Sequence, residues 1–288
     1  MLRRILTAAV LIPVVVALIW WGPPLAVAAA GTIVVLLAMH EFFSLGDRMG
    51  LRAYRRWTML CTVGLFYAQW MKGLEIHRAV GSDGELIGHA ANAFSSVEFV
   101  IIIFVFGAAM IGIFSRQAVA DILPAIAMSS AAIAFIAFPF SYLLRILENP
   151  ETGRQFVLFT LVLVWAGDML AYFIGRAFGH SRMAPALSPK KTWEGAAANL
   201  AASLAVATLF AKWVHADGLT LLIIAALANI AGQLGDLLES AYKRGAGMKD
   251  SSALLPGHGG MLDRIDSLIL AAPVVWYGIV WLNSSFHF

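Results

Sequence analysis

The chain contains little charge and almost no cysteine. Only 13% of its 288 residues are Asp, Glu, Lys or Arg, and Cys61 is the single cysteine. One cysteine excludes an internal disulfide and a cysteine-based metal site. The sequence has no GxxxxGK[ST] phosphate-binding loop and no GxGxxG after a strand, which excludes the common soluble nucleotide-binding motifs. What remains is 60% hydrophobic, with a mean hydropathy of +0.81, and this composition excludes an ordinary soluble domain.

Long apolar segments dominate the sequence. A helix that crosses a hydrocarbon core of about 30 Å needs roughly 20 apolar residues. Nine segments approach that length, and we therefore predict an all-α, polytopic integral membrane protein with about nine transmembrane helices. The segments are 5–21, 24–43, 57–72, 94–114, 118–138, 156–177, 195–214, 219–238 and 267–283. Residues 139–147 either extend the fifth helix past Pro139 or lie along the membrane interface.

Lys and Arg are distributed unequally between the two sides of the predicted membrane. Cytoplasmic loops collect these residues. If the N-terminus is cytoplasmic, 15 of the 20 Lys and Arg lie on the cytoplasmic side and 5 on the other. We therefore predict a cytoplasmic N-terminus in a multi-pass protein of the inner cell membrane. The alternative for the first segment is a cleavable signal peptide, because Arg3 and Arg4 precede an apolar run and the small residues 26–30.

Ionisable residues divide the chain into two regions. Residues 1–150 carry almost none inside their predicted spans and are expected to form a scaffold with lipid-facing or dimer surfaces. The pair His40 and Glu41, at the end of the second segment, is interpreted as a polar pair at the membrane boundary. Residues 151–288 carry acidic residues in or beside their spans, together with the basic cytoplasmic loops 176–194 and 239–266. Because ionisable groups inside a membrane are costly and are functional candidates by default, the catalytic region is predicted there.

Several carboxylates of the second region are metal-ligand candidates. Asp168 lies deep in the sixth segment and should face a partner, a metal or a watery cleft, with an interhelical hydrogen bond as the alternative. Gln233, Asp236 and Ser240 share one helix face through their i, i+3, i+7 spacing. Asp236 and Glu239 are three residues apart and suit Mg²⁺, which prefers oxygen ligands. Glu239 is also explained well by a solvated helix end.

Residues 240–266 form the most charged stretch of the chain. Its 27 residues include four Lys or Arg, three Asp, one His and five Gly. Glycines in 256–260 permit backbone N–H groups to converge on an anion. Asp263 and Asp266 begin the last segment on one face, where helix capping explains one of them but not both. His258 has three open roles, namely a hydrogen bond to phosphate, acid or base catalysis, or fixing the loop.

The motif SPKKTWEG, residues 188–195, precedes the seventh segment. Thr192 and Ser188 are N-cap candidates for that helix. Lys190 and Lys191 suit phosphate groups as point charges, although anchoring on the cytoplasmic side explains both lysines as well. Together these patterns predict a cytoplasm-facing cleft in which carboxylates hold a metal and cations offset phosphate charge. Phosphoryl and nucleotidyl transfer require this arrangement.

The charged stretch resembles the signature of the phosphatidate cytidylyltransferase (CDP-diacylglycerol synthase) family. The resemblance covers 165–270, including the Asp168 helix and the SPKKTWEG motif, and Tyr242 departs from it where the signature usually has an aliphatic residue. The matching positions are Ser240, Lys243, Arg244, Lys249, Asp250, Ser252, Pro256, His258, Gly259, Gly260, Asp263, Arg264 and Asp266.

The resemblance implies that CTP and phosphatidate react to give CDP-diacylglycerol and pyrophosphate. It implies Mg²⁺ and a second cation, potassium, and a homodimer in the lipid bilayer; no nucleic-acid partner is expected. The implied metal ligands are Asp236 and Asp263, followed by Asp168 and Asp266. The other implied site residues are Lys243, Arg264 and His258 in catalysis, and Ser188, Lys190, Lys191, Thr192, Ser240, Arg244, Lys249 and Asp250 in substrate binding.

Two other functions remain open from the sequence. A CTP-dependent polyprenol or phytol kinase would transfer the γ-phosphoryl group to an alcohol, and the full charged stretch favours the cytidylyltransferase over it. A membrane transporter would also use carboxylates near the midplane of the bilayer. It should have paired broken helices in two halves, whereas the ionisable residues here lie in one half.

Overall fold

The chain is almost entirely helical. Its structure, a computed structural model, describes residues 2–79, 96–149, 152–214, 216–252, 254 and 259–285. The helices are α1 Leu2–Trp21, α2 Pro24–Arg48, α3 Arg55–Ala79, α4 Val97–Phe114, α5 Val119–Ala132, α6 Phe138–Leu147, α7 Gly153–Phe178, α8 Trp193–Trp213, α9 Gly218–Gly245 and α10 Leu262–Ser285. A π-helical turn, Ile133–Ala137, joins α5 to α6, and a short antiparallel hairpin, β1 Arg182–Ala184 and β2 Ser188–Thr192, separates α7 from α8.

Seven helical runs in the described part of the chain are long and apolar enough to cross a membrane. They are α2, α4, the continuous run Val119–Leu147, α7, α8, α9 and Leu262–Trp281 of α10. The prediction of an all-α, polytopic membrane protein is therefore confirmed. The first and third predicted segments also fall in helices, α1 and α3.

The fifth predicted helix continues past Pro139, which confirms the first of the two alternatives for 139–147. α5, the π turn and α6 form one run of 29 residues. Pro139 lies in the first turn of α6. A single π turn accommodates a local change of hydrogen-bond pattern, so the missing N–H of this proline does not end the run.

α9 extends beyond its predicted end at residue 238 and includes the first part of the predicted loop 239–266. Lys243 and Arg244 lie in its last turn, where positive charge is favourable for the helix dipole. The helix then ends in a Schellman motif. Gly247 has a φ of +68°, Gly247 N donates to Arg244 O, and Met248 N donates to Lys243 O. The charges that looked like loop residues therefore have fixed helical positions.

The chain forms two compact units. The first contains Met1–Pro150 together with Ser251–Leu262, and the second contains Glu151–Asp250 together with Asp263–Phe288. Within the second unit, α8 packs along α7 and also against α9. This three-helix arrangement carries most of the candidate site.

Candidate functional site

A cavity of about 750 Å³ lies among α7, the β-hairpin, α8 and α9 of the second unit. Asp168 and Asp236 contribute carboxylates to its wall. Four cationic side chains also line it: Arg176, Arg182, Lys190 and Lys191. The sequence alone does not distinguish Arg176 and Arg182 from the other Lys and Arg residues of the predicted cytoplasmic side. A concave site with both acids and cations suits a ligand that carries phosphates and a metal.

Asp168 is the end of a hydrogen-bonded chain of amides. Asn199 Nδ2 donates to Asp168 Oδ1 at 3.2 Å, and Asn229 Nδ2 donates to Asn199 Oδ1 at 2.5 Å and to Ser203 Oγ at 2.7 Å. Gln233 Nε2 donates to Asn229 Oδ1 at 2.7 Å. Asp168 thus makes an interhelical hydrogen bond and also lines a cleft, so the two sequence alternatives hold together.

The buried amides of this network were missed from the sequence. Asn199 and Asn229 are 6% and 3% exposed, and each lies inside an apolar helix, α8 and α9 respectively. A buried amide without partners is costly, so two of them in neighbouring spans indicate that they bond each other. The i, i+4 spacing of Asn229 and Gln233 was the available signal.

Three carboxylates meet beside the cavity. Asp236 and Glu239 of α9 and Asp266 of α10 each offer an oxygen, and these oxygens lie within 4.8 Å of one another. The structure therefore brings together Asp236 and Asp266 among the predicted metal ligands. Asp168 lies on the cavity wall, close enough to Asp236 and Asp266 for electrostatic interaction with both, and Asp263 pairs with a lysine.

Glu239 belongs to this cluster, although the sequence interpretation did not include it among the implied metal ligands. The reading as a solvated helix end is wrong, because Glu239 is 3% exposed and α9 continues for more than a turn beyond it. Its position three residues after Asp236 and four before Lys243 places all three on adjoining parts of one helix face.

Two lysines offset the charge of the cluster. Lys191 Nζ lies 2.6 Å from Asp236 Oδ2. Lys243 is buried, forms an ion pair with Glu239, and donates to Asp263 Oδ1 at 2.5 Å. Carboxylates this close repel one another when ionised, so the lysines stabilise their charged forms. Lys243 also lies between a cluster member and a predicted metal ligand.

Glu239 supports a cation at this position. Both of its carboxylate oxygens are buried, and Lys243, which Glu239 shares with Asp263, pairs closely with this carboxylate. One shared lysine does not balance a group of neighbouring acids, so an additional cation is favourable here. Asp236, Glu239 and Asp266 together form a hard, all-oxygen donor set, which fits Mg²⁺.

Gly235 permits the close approach of α9 to α10 that brings these acids together. A Cβ at this position would lie 2.5 Å from the carbonyl oxygen of Asp266, well inside van der Waals contact. A residue with a side chain would therefore force the helices apart. Asp236, the next residue, meets Asp266 because of this contact.

The SPKKTWEG motif forms β2 and the start of α8. Thr192 is the N-cap, and its hydroxyl accepts a hydrogen bond from Gly195 N at 3.1 Å, as one of the two cap candidates predicted. Lys190, Lys191 and Thr192 line the cavity, while Ser188 pairs with Ala184 at the other end of the hairpin. The hairpin thus carries both lysines to the cavity.

The remaining predicted site residues have varied positions. Ser240 is buried, whereas the side chains of the predicted basic residues Arg244, Lys249 and Arg264, and of Asp250, are exposed. Arg244 donates to the carbonyl oxygens of Leu187 at 3.0 Å and Met248 at 2.9 Å. His258 lies outside the described residues.

Glu41, in the first unit, also differs from its sequence interpretation. It is not a solvated boundary residue, because it is 3% exposed. Its carboxylate accepts hydrogen bonds from the two ends of the segment 251–262. Glu41 and its donors are more than 200 residues apart along the chain, so no local sequence pattern indicates this contact.

Proteins from several bacteria are similar to part of this chain. A phosphatidate cytidylyltransferase of Haemophilus influenzae is 46% identical over 136 residues, which cover 45% of this chain and 47% of the relative. The enzyme of that name from Bacillus subtilis is 37% identical over 148 residues, or 51% and 55% of the two chains. The one from Brucella abortus is 45% identical over 135 residues, or 46% and 50%. The chain thus spans about half the length of these relatives.

The family comparison covers nearly the whole sequence. The sequence model of the cytidylyltransferase family matches residues 2–282, which include the cavity, the acidic cluster and the segment held by Glu41. The chain therefore belongs to the cytidylyltransferase family.

Proposed function

We propose that this protein is a CTP:phosphatidate cytidylyltransferase, which converts CTP and phosphatidate into CDP-diacylglycerol and pyrophosphate. One observation carries the proposal. Asp236 belongs both to the wall of the cation-lined cavity and to the acidic cluster with Glu239 and Asp266. A phosphate chain in the cavity would therefore lie beside the carboxylates that suit a metal. The names of the similar bacterial proteins support the same reaction.

The charges of the cavity suit the two substrates. CTP and phosphatidate are both anions, so their approach needs cations that offset the repulsion. Arg176, Arg182 and Lys190 line the cavity, and Lys191 reaches Asp236 at its edge. Arg presents several donors in a fixed plane and Lys acts as a point charge, and both are common phosphate ligands.

Magnesium is part of the proposal, with Asp236, Glu239 and Asp266 as the residues that would hold it. When bound there, the metal would supply Lewis-acid chemistry that offsets the negative charge of the reacting phosphates. Asp263 remains a proposed ligand by family resemblance, and in this structure its carboxylate accepts from Lys243. A second cation, potassium, is proposed on the resemblance alone.

The proposed step is a direct displacement. A phosphate oxygen of phosphatidate forms a bond to the α-phosphorus of CTP, while the bond from that phosphorus to the oxygen bridging to the β-phosphate breaks. The bonding electrons leave with pyrophosphate. The attacking phosphate is already ionised near neutral pH, so no general base is required, and Lys and Arg stabilise the charge that builds up in the transition state.

The location of the site is also proposed. The distribution of Lys and Arg supports a cytoplasmic active site in an inner cell membrane, since most of these residues fall on one side. We further propose a homodimer. Chemical cross-linking of native membranes would give a band of twice the 31.0 kDa chain mass, and a monomer at all cross-linker concentrations would contradict the dimer.

Pyrophosphate release tests the function directly. Purified protein given CTP, Mg²⁺ and phosphatidate should release one pyrophosphate for each CDP-diacylglycerol formed. Asp236→Asn should reduce the rate by about 100- to 1,000-fold, because it removes a charge beside the reacting phosphates. Asp217→Asn, which changes an exposed carboxylate at the start of the same helix, is the matched control. Release of CDP with a polyprenol acceptor, without pyrophosphate, would instead identify a lipid kinase.

A further inference from the structure

Glu41 accepts four hydrogen bonds from residues far along the chain. Ser251 Oγ donates to its Oε2 at 2.9 Å, and Ser252 Oγ donates to its Oε1 at 2.6 Å. Met261 N donates to Oε1 at 2.9 Å, and Leu262 N donates to Oε2 at 2.8 Å. Each carboxylate oxygen therefore receives one hydroxyl and one backbone N–H. All of these residues belong to the first compact unit.

The four donors lie at the two ends of one segment. Ser251 and Ser252 begin the segment 251–262, and Met261 and Leu262 end it. A single carboxylate thus fixes both ends of this segment, which belongs to the charged signature stretch. Charge-assisted hydrogen bonds are about twice as strong as neutral ones, so the closure is firm.

The carboxylate also caps a helix. α10 begins at Leu262, and the first N–H groups of a helix have no partner within it. Glu41 accepts from the first of these groups, Leu262 N, and from Met261 N just before the helix, and the helix dipole favours its negative charge at this end. Gly260 leaves the room for this contact, because a Cβ there would overlap Ser251 Oγ and the Glu41 carboxylate.

This contact shows which anion the backbone N–H groups directly after the glycine-rich residues 256–260 bind. The sequence indicates backbone N–H groups that converge on an anion, which suggests a substrate phosphate. At Met261 and Leu262 the anion is a carboxylate of the chain itself. These two N–H groups are therefore occupied before any substrate binds.

We propose that Glu41 is a positioning residue for the reaction. By closing the segment 251–262, it fixes the positions of the chain at Asp250 and at Asp263, which directly precede and follow that segment. This proposal rests on the proposed function, since it concerns the residues assigned to substrate and metal in that reaction. Glu41 itself contacts neither substrate nor metal in this role.

Glu41→Gln tests the positioning role in the full-length protein. Glutamine keeps the shape of the side chain but loses the charge and replaces one acceptor oxygen by a donor, which faces two donors of the segment. We expect kcat per folded protein to fall by about 10- to 100-fold, because small displacements of positioned groups slow the chemical step. The KM for CTP should change less than about threefold. Asp121→Asn, at an exposed position of α5 in the same unit, should leave both constants unchanged.

Amide hydrogen exchange gives a second readout that does not depend on activity. In Glu41→Gln, exchange of a peptide covering 259–265 should accelerate, while peptides from α4 should exchange as in the wild type. If the wild type shows this protection but releases no pyrophosphate, the contact stands and the proposed function fails. If exchange accelerates but kcat per folded protein is unchanged, Glu41 is structural only and the positioning role is overturned.

Ser252→Ala provides a milder test that retains the carboxylate and its contact with the helix N-terminus. We expect a two- to fivefold lower kcat, and no further loss when the change is combined with Glu41→Gln, because both act through one contact. Independent, multiplicative effects of the two substitutions on kcat would contradict the proposal. This variant also serves if Glu41→Gln fails to fold.

Discussion

Two buried glutamates, one in each compact unit, are held in opposite ways. Glu41 and Glu239 are both 3% exposed. Every oxygen of Glu41 accepts two hydrogen bonds, whereas Glu239 pairs with Lys243, which it shares with Asp263, and lies beside two aspartates. The donors of the chain satisfy the charge of Glu41 fully, which indicates a structural role. Glu239 shares one lysine within a group of acids, which suits an additional cation.

The largest effect expected on stability comes from Glu41→Gln. Removing the charge leaves buried donors with poor partners, and breaking such a buried network costs about 2–4 kcal/mol. Thermal unfolding in detergent would measure the loss against the Asp121→Asn control. An unchanged melting temperature would show that water can serve the donors that Glu41 now serves. Glu41 would then have no larger structural role than Glu239.

Glu239→Gln should act on the metal requirement instead. The change weakens the ion pair with Lys243 but leaves that lysine its partner Asp263, so the free energy of unfolding should fall by only about 1–2 kcal/mol. The Mg²⁺ concentration for half-maximal pyrophosphate release should rise by about 10- to 100-fold, because one ligand charge is gone. Measuring the same titration for Glu41→Gln sharpens the comparison, since this change should lower kcat more than it raises the half-maximal Mg²⁺ concentration. Equal shifts in both variants would remove the distinction.

Gly235→Ala tests whether helix proximity organises the second unit. The added Cβ would meet the Asp266 carbonyl, and overpacking of this kind costs about 1–3 kcal/mol. Melting temperature and Mg²⁺ dependence should both worsen, because the cluster widens. Gly218→Ala, in the same helix but with no atom within 4 Å of the new Cβ, is the matched control and should be neutral or slightly stabilising.

The smallest effect on stability is expected at Asp217. Unlike the buried Glu41 and Glu239, its carboxylate is hydrogen-bonded but exposed. Hydrogen bonds from the Thr220 hydroxyl and then from its backbone N–H lower the pKa of Asp217. The folded-state pKa is therefore below the unfolded value of about 4, so its stabilisation is present above that pH and disappears as the pH falls through the folded pKa. The difference in melting temperature between wild type and Asp217→Asn should be small at pH 7 and should shrink as the pH falls below about 4. A difference that grows at low pH would contradict this assignment.

Much of the fold follows from sequence because hydropathy is a local property. Each predicted apolar segment lies largely within a helix, and Thr192 caps α8 as its position before an apolar run indicates. The end of α9 was misplaced because Lys243 and Arg244 resemble loop residues. Helix dipole and a Schellman motif instead keep them helical to Gly245.

The site was only partly predictable, for a physical reason. Asp236 and Asp266 are recognisable because each is costly in or beside an apolar helix. Glu41 and Asn199 acquire their roles from partners on other helices, and no spacing along the chain reports those contacts. Amides inside apolar helices indicate an interhelical contact or a site just as carboxylates do, since both require a partner when they are buried.

The length of α9 has a consequence for which changes this protein tolerates. From the buried amide Asn229 to the pairing cation Lys243, one unbroken helix sets the spacing of every polar group. Deleting a single residue between Asn229 and Asp236 would rotate the two ends relative to each other by about 100° and shorten the helix by about 1.5 Å. Apolar substitutions on the side of α9 that faces away from the cavity should therefore be widely tolerated, whereas inserting or deleting one residue between Asn229 and Asp236 should abolish activity. For this helix, the number of residues is more strongly constrained than their identity.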